Sequence, residues 1–197
     1  MTDPRDIVAI ILAAGQGSRF REIAGPQADK LLATCPGLDG VQRPVLGQVL
    51  KPLEGRVGRK LLITRPASID VIAVAEACEV ILLDSPGIGE SIAAAVKASP
   101  NAAGWLIFLG DMPFIQPSTL DSLLAAMGPD HITVPVGSEG YGHPVGFGAA
   151  FAQPLQRLQG DQGARRLFQG QRLVEVPIQD AGIYQDIDVP SSLNRQI

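Results

Sequence analysis

Residues 7–20 read IVAIILAAGQGSRF, an apolar run that ends in small residues, two glycines, a serine and an arginine. Continuous apolar runs of this length are typical of strands buried on both faces of a parallel sheet. Gly15 and Gly17 let backbone N–H groups approach an anion, and Arg19 adds a cation beside them. The stretch therefore predicts a buried strand over residues 7–14, followed by a turn that can bind phosphate.

Further apolar runs follow along the chain, each bounded by turn residues. They cover residues 61–64, 80–83, 105–109, 132–136 and, more weakly, 173–178. Residues 117–128, PSTLDSLLAAMG, place three leucines and a methionine on one helical face, after a proline and before a glycine. This alternation predicts an α/β fold whose ligands bind at the carboxyl ends of the strands.

Two segments rich in glycine interrupt the alternation. We expect residues 20–48 to form an extended loop over one edge of the fold. We expect residues 137–148, GSEGYGHPVGFG, to form another loop on the active face. The chain has 197 residues and no internal repeat, so a single domain over residues 1–197 is expected.

Composition excludes several classes of protein. The net charge is −4, from 16 basic and 20 acidic residues, which argues against general binding to nucleic acid or to an anionic membrane. No apolar stretch reaches the roughly 20 residues that a membrane helix needs. The opening residues MTDPRD do not resemble a signal peptide. We expect a cytoplasmic protein in which Cys35 and Cys78 are buried thiols, because they show no CxxC spacing.

The turn at residues 15–19 has competing interpretations. It is not a complete GxGxxG fingerprint, because Phe20 stands where the third glycine belongs, and it does not match a P-loop. An ordinary strand-to-helix turn without a ligand is the plainest alternative. Other parts of the chain must therefore decide between these interpretations.

Carboxylates after other strands favour the phosphate-binding interpretation. Asp111 follows an apolar run in FLGDMPFI, residues 108–115. Asp186 and Asp188 are two apart in YQDIDVPSSL, so in an extended segment they would share one face. Such carboxylates suit Mg²⁺, although turn capping and simple solvation are the alternatives. With the phosphate turn and Arg19, they predict metal-assisted phosphoryl or nucleotidyl transfer.

Seven motifs in order resemble the MobA-like nucleotidyltransferase family. They are LAAGQGSRF, the lysine of DKLL, PGIGESIAAAV, LGDMPFI, GHPVGF, GDQGARRL and DIDVP, and they span almost the whole chain. The combination of GHPVGF, GDQGAR and DIDVP resembles the molybdenum cofactor cytidylyltransferase (MocA-like) branch. The resemblance implies a Rossmann-like, three-layer fold of the nucleotide-diphospho-sugar transferase type, with a mostly parallel sheet.

The resemblance also implies a role for individual residues. Arg19, Lys30 and Asp111 would serve catalysis, and Asp111 would hold Mg²⁺ with Asp186 or Asp188. His143 and Arg165 would contact the acceptor. The residues implied to bind the nucleotide are Leu12, Ala13, Ala14, Gly15, Gly17, Ser18, Arg19, Lys30, Gly87, Gly89, Ser91 and Gly110.

The implied reaction is an in-line attack by a terminal phosphate of the acceptor on the α-phosphate of CTP, with release of pyrophosphate. Molybdopterin, a phosphorylated pterin, is the expected acceptor, and a molybdoenzyme or a chaperone is a conceivable protein partner. Because the attacking phosphate is already anionic, the protein's work is positioning and charge neutralisation.

Two features depart from the family pattern. Lys30 follows Arg19 by eleven positions, a longer spacing than usual, so the chain must loop out and return. We expect Gly25 and Pro26 to allow the reversal. In addition, Phe20-Arg21 replaces the usual Met-Gly.

Other functions remain open on the sequence alone. A guanylyltransferase that uses GTP, or another NTP transferase of the family, is the nearest. A nucleotide-binding regulator without turnover is a second. A serine hydrolase is a third, because GESIA resembles GxSxG with Ala93 in place of the last glycine, and because Ser91, Asp111 and His143 occur in the right order.

Overall fold

The computed structural model describes residues 3–84, 87–161 and 163–194. Pro86 of the motif PGIGESIAAAV and Gln162 of GDQGARRL lie outside the described residues, as do both ends of the expected domain.

A mixed sheet forms the centre of the fold. Its strands are β1 (Ile7–Leu12), β4 (Arg59–Thr64), β5 (Glu79–Leu82), β6 (Gly104–Leu109), β7 (Ile132–Gly137), β8 (Gly140–Tyr141), β9 (Val145–Gly148) and β10 (Leu173–Pro177). In the described residues the order is β10-β7-β9-β6-β1-β4-β5, with β8 paired to β7. The pairs β1–β4, β1–β6, β4–β5 and β7–β10 are parallel, whereas β9 runs antiparallel to both β6 and β7. The predicted α/β fold with a mostly parallel sheet is confirmed.

Helices cover the sheet and connect its strands. They are α1 (Ser18–Ala24), α2 (Val45–Leu50), α3 (Ile69–Val74), α4 (Ile88–Ala98), α5 (Pro117–Ala126) and α6 (Ala152–Gln156). Short 3₁₀ helices lie at Pro4–Asp6, Lys51–Leu53, Ala149–Phe151, Ala164–Phe168, Ala181–Tyr184 and Pro190–Asn194. None of the helices in the described part of the chain is both long and apolar enough to cross a membrane.

The alternation of side chains along β1 builds the three layers. Ile7 and Ile11 belong to an apolar cluster that includes residues of α2 and α5. Val8 and Ile10 point to the other face, into a cluster that includes residues of α4 and α6. Because successive side chains of a strand face opposite ways, a strand apolar at every position is buried on both sides. All six predicted strands are present, although β5 and β10, at the two edges of the sheet, are only partly buried.

The prediction of a loop on the active face over residues 137–148 is wrong in part, because this segment contains β8 and β9. Residues 145–148 form β9, and a side chain at Gly148 would collide with the backbone of Gly128. The glycine is there because two segments of backbone approach closely, a non-local reason that a sequence pattern does not reveal.

The prediction for residues 20–48 is also wrong in part. Helix α1 continues to Ala24, β2 (Thr34–Pro36) and β3 (Gln42–Pro44) form a hairpin, and α2 begins at Val45. Each strand has three residues and contains a proline, so the strand signal is weak. Cys35, on β2, is fully buried as expected, Cys78 is partly buried, and both are free thiols.

Candidate active site

The turn after β1 is held between two neighbouring strands. The Ala13 N–H donates to Ile63 O at 2.8 Å, and the Gly110 N–H donates to Leu12 O at 2.9 Å. Gly17 has φ 61°, a left-handed conformation that favours glycine, and α1 starts directly after it. This fixes the turn at the carboxyl end of the sheet, where ligands of such folds bind.

Three carboxylates gather beside this turn. Asp111 follows β6, and its carbonyl oxygen accepts a hydrogen bond from the Ile187 N–H at 2.9 Å. This bond brings Asp186 and Asp188 to the end of β6, and one oxygen of each carboxylate lies within 4.8 Å of the others. A set of hard oxygen donors at this spacing fits a divalent cation such as Mg²⁺ or Mn²⁺.

Lys30 returns to the carboxylates despite the long spacing from Arg19. Its Nζ atom lies 2.5 Å from Asp111 Oδ2 and 3.5 Å from Asp188 Oδ1. Gly25 has φ 104°, and the buried Leu31 anchors the returning chain, with its carbonyl oxygen accepting from the Leu46 N–H.

Arg19 joins the same group from α1. Its guanidinium donates to Asp188 Oδ2 at 2.9 Å while 77% of its side chain stays exposed. The two cations predicted from sequence therefore meet at one carboxylate, Asp188. Their roles in catalysis stay a prediction.

Charge and burial shift two pKa values in this cluster. Burial lowers the pKa of Lys30, but the charges and hydrogen bonds of Asp111 and Asp188 outweigh burial and raise it above the usual value. For Asp186, burial and then the charges of Asp188 and Asp111 raise the pKa. Lys30 therefore remains a cation, and Asp186 holds its proton more tightly than a free aspartate.

A cavity of about 420 Å³ lies next to the turn and the Asp111 carboxylate. Its walls are Leu12, Ala14, Gly15, Gln16, Gly87, Ile88, Ser91, Leu109, Asp111 and Asp161. Five of the residues predicted to bind the nucleotide are among them: Leu12, Ala14, Gly15, Gly87 and Ser91. Gln16 belongs to the turn at residues 15–19 that the sequence predicts to bind phosphate. The sequence interpretation did not assign Ile88, Leu109 or Asp161 to the nucleotide.

Other predicted nucleotide residues lie behind this cavity. Ala13 is buried. A Cβ atom on Gly89 would lie 2.7 Å from Gln159 N, and one on Gly110 would lie 2.8 Å from Leu12 O. These two glycines thus allow close packing of the backbone around the cavity.

A second cavity, of about 180 Å³, adjoins the first and shares three of its residues. His143 and Arg165, the predicted acceptor residues, both line it. The Arg165 guanidinium lies 6.0 Å from the centre of the Tyr141 ring, and Phe168 packs edge-on against that ring. Tyr141 and Phe168 are aromatic walls that the sequence interpretation missed, because only the fold brings them together.

His143 is partly buried and lines this second cavity. Burial lowers the pKa of His143, Asp111 raises it, Arg165 lowers it further, and the net shift is downward. The Nδ1 atom is buried and has no hydrogen-bond partner in the described residues. A neutral imidazole with an open ring nitrogen can donate to or accept from a bound ligand.

Ser91 does not have the geometry of a nucleophile elbow. It is the fourth residue of α4, it is buried, and its hydroxyl donates to Gly87 O at 3.4 Å. No hydrogen bond joins Ser91 to His143 in the parts of the chain that the structure describes. The serine-hydrolase alternative therefore receives no support.

Arg65 is a further cation at this edge of the sheet that the sequence interpretation did not single out. It follows β4, and its guanidinium lies 3.4 Å from Gly15 O. Its Nε atom is buried and has no partner in the described residues.

Known proteins share both sequence and fold with this chain. The bifunctional protein GlmU of Clavibacter sepedonicus is 32% identical over 136 residues, which are 63% of this chain and 25% of that protein. The chain thus matches only about a quarter of the length of that relative. Rv0371c of Mycobacterium tuberculosis has a similar crystal structure, with a TM-score of 0.76 and 27% identity over 98% of this chain and 96% of that one.

Two further structures extend this likeness. A complex of Rv0371c with manganese has a TM-score of 0.69 and 25% identity, covering 96% of this chain and 93% of that one. A nucleotidyl transferase from Methanothermobacter has the same fold, with a TM-score of 0.77 and 22% identity, covering 94% of this chain and 93% of that one.

The family itself is established by a direct match. The model of the MobA-like NTP transferase domain matches residues 9–176, a range that begins within β1, includes the turn after it and ends within β10. The fold agrees with that of nucleotidyltransferases of the nucleotide-diphospho-sugar transferase type. This chain therefore belongs to the MobA-like NTP transferase family.

Proposed function

We propose that this protein transfers CMP from CTP to a phosphorylated small molecule, with molybdopterin as the acceptor, and releases pyrophosphate. The observation that carries the proposal is the meeting of Lys30 and Arg19 with three carboxylates, one of which, Asp111, also lines the larger cavity. Cations beside carboxylates at the edge of a nucleotide-sized cavity are what a reaction between two phosphates requires.

The carboxylates fit a divalent metal ion. We propose that Asp111, Asp186 and Asp188 hold Mg²⁺, which when bound neutralises phosphate charge. The manganese complex of Rv0371c is consistent with a metal in this family.

The chain's own residues would neutralise charge and orient both substrates. Arg19 extends from α1 with most of its side chain exposed, and Lys30 reaches the cluster from the segment between α1 and β2. In our proposal both side chains turn towards the phosphates of a bound nucleotide. Such charge-assisted contacts stabilise the charge that builds on the leaving pyrophosphate. No protein nucleophile is needed, because the acceptor supplies its own phosphate oxygen.

The smaller cavity suits the acceptor. Tyr141, Phe147 and Phe168 give it apolar walls, and His143 and Arg165 supply polar groups. A flat heterocycle with a phosphate matches this combination, since aromatic walls accept a ring and a guanidinium binds phosphate. We propose that residues 1–197 act together as one nucleotidyltransferase domain, which the continuous sheet from β1 to β10 supports.

Pyrophosphate release tests the proposal. The protein is incubated with Mg²⁺ and each of CTP, GTP, UTP and ATP, with and without molybdopterin. Release that requires both CTP and molybdopterin supports it. Faster release with GTP would identify a guanylyltransferase, and tight CTP binding without release under any condition would identify a nucleotide-binding regulator.

A further inference from the structure

We propose that Arg65 reads the edge of the nucleotide base and favours cytosine. This inference rests on the proposed use of CTP and adds the residue that would select it. Arg65 lies outside the cluster of Lys30, Arg19 and the carboxylates. Its side-chain contact in the described residues is to Gly15 O and not to a member of that cluster.

The sheet places Arg65 next to the turn that follows β1. The Ala13 N–H donates to Ile63 O at 2.8 Å, and the Leu83 N–H donates to Thr64 O at 2.9 Å, so the end of β4 is held between β1 and β5. Arg65 is the next residue, and its guanidinium lies 3.4 Å from Gly15 O. Gly15 lines the 420 Å³ cavity, so the guanidinium stands beside that cavity.

The guanidinium is poorly satisfied in this position. Its contact to Gly15 O is long for a hydrogen bond. Its Nε atom is buried, with no partner among the described residues. By contrast, Arg59, the first residue of β4, makes two bonds of 2.7 and 2.8 Å to Glu79. A buried donor without a partner is costly, so a ligand that supplies acceptors would bind favourably here.

The strand order separates Arg65 from the phosphate end of the site. Asp111 follows β6, on one side of β1, and it gathers Lys30 and, through Asp188, Arg19. Arg65 follows β4, on the opposite side of β1. We place the triphosphate of the nucleotide at the cluster of Lys30, Arg19 and the carboxylates, after β6. If the nucleotide then extends across the turn after β1, its base lies on the side of β1 where β4 is.

The chemistry of a guanidinium then selects the base. Arginine presents parallel N–H donors in a planar fork and accepts nothing. Cytosine offers two adjacent acceptors, N3 and O2, and guanine offers O6 and N7. Uracil and adenine present no adjacent pair of acceptors: the N3–H of uracil stands between O2 and O4, and the NH₂ group of adenine stands beside N1 and N7. A fork at this position therefore favours CTP over UTP and ATP.

The experiment measures dissociation constants for CTP, GTP, UTP and ATP with Mg²⁺ by calorimetry. The variants are Arg65→Met and Arg65→Lys. Arg59→Met is a matched control that removes the same charge from the opposite end of β4. Arg65→Met and Arg65→Lys are both expected to weaken CTP binding by about tenfold or more, and to leave UTP and ATP binding nearly unchanged. Lysine keeps the charge but lacks the fork, so it should not rescue the preference.

Each alternative result has a distinct meaning. Equal weakening of all four nucleotides in Arg65→Met, with rescue by lysine, would assign Arg65 to phosphate and overturn the inference. An unchanged preference for CTP in both variants would also overturn it while leaving the proposed function intact. A wild-type preference for GTP that both variants lose would reject the proposed cytidylyl transfer and keep Arg65 as the residue that reads the base.

Discussion

The Nζ atom of Lys30 lies 2.5 Å from Oδ2 of Asp111, although 81 residues separate the two in sequence. The same ammonium group lies 3.5 Å from Asp188, the carboxylate that also binds Arg19. In our proposal, Lys30 and the metal ion therefore compete for the same oxygens. A divalent ion can enter fully only if Lys30 moves away, and the phosphates of a nucleotide offer Lys30 its next partner.

Replacing Lys30 by methionine should separate metal binding from nucleotide binding. Without the competing ammonium, Mn²⁺ alone should bind more tightly, by on the order of tenfold, because a nearby positive charge is removed. CTP should bind more weakly, by about tenfold to a hundredfold, since a charge-assisted phosphate contact of roughly 1.5–3 kcal/mol is lost. Paramagnetic resonance of Mn²⁺ and calorimetry with CTP measure the two effects.

Lys51→Met is the control for that experiment, because the exposed Lys51 pairs with Glu54 and is absent from both cavities at the carboxyl edge. It should change neither affinity. Unchanged Mn²⁺ binding in Lys30→Met would contradict the idea that lysine competes with the metal. Unchanged CTP binding would mean that Lys30 contacts the carboxylates and not the phosphates of the nucleotide.

Asp111→Asn should abolish turnover and preserve the fold. The amide keeps the shape of the side chain but removes the charge that holds Lys30 and, in our proposal, the metal. We expect kcat to fall by at least about a hundredfold, as for other losses of electrostatic stabilisation. Circular dichroism should be unchanged. Asp121→Asn, which removes a surface carboxylate paired with Arg56, is the matched control. Near-normal turnover with Mg²⁺ in Asp111→Asn would remove Asp111 from the proposed mechanism.

The sequence predicted the parts of the fold that depend on local pattern. A run apolar at every position, such as residues 105–109, can only be buried on both faces, so β6 and the position of Asp111 after it followed directly. Strand β9 did not follow, because its glycines at 146 and 148 have the composition of a loop. Their reason is contact with Met127 and with the backbone of Gly128, which lie elsewhere in the chain.

The candidate site also depends on contacts between distant parts of the chain, which a local sequence pattern does not predict. Lys30 and Asp111 were expected in one site because of a family resemblance, and their contact depends on a chain reversal that no periodicity encodes. Asp161 lines the larger cavity, and the sequence analysis did not assign it a role there. Arg65 was missed because an arginine after a short strand has no distinguishing pattern until its unpartnered Nε atom is seen.

Gly148→Ala should destabilise the protein, because β9 leaves no room for a methyl group at this position. A Cβ atom there would meet the backbone of Gly128 and Pro129, which cannot move as a flexible side chain can. We expect a loss of about 1–3 kcal/mol in the free energy of unfolding, typical of overpacking. Urea denaturation measures it.

Gly47→Ala is the comparison for that variant. Gly47 lies within α2, and a Cβ atom there would make only ordinary contacts of 3.6 Å or more. Alanine in a helix interior should be neutral or stabilise by about 0.5–1 kcal/mol. If Gly148→Ala were as stable as the wild type, the close packing of β9 against the loop after α5 would be wrong.

His143 should make the stability of the protein depend on pH below neutrality. Its pKa is lowered in the folded chain, chiefly by burial, so the unfolded chain binds a proton more readily than the folded one. Stability from this group is therefore fully present above the unfolded value of 6.5, and it decreases as the pH falls from about 7 to 5. Urea denaturation at several pH values measures the slope, in the wild type and in His143→Gln.

The comparison uses the change of unfolding free energy with pH and not its absolute value, because glutamine also changes the packing of the smaller cavity. Any packing effect shifts the curve at all pH values equally, whereas loss of the imidazole removes only its dependence on pH. Carboxylates such as Asp186 titrate in both proteins and cancel in the comparison. We expect the wild type to lose more unfolding free energy than His143→Gln between pH 7 and pH 5. Parallel curves would mean that His143 takes up a proton as easily in the folded chain as in the unfolded one, which would contradict the lowered pKa of His143 in the folded chain.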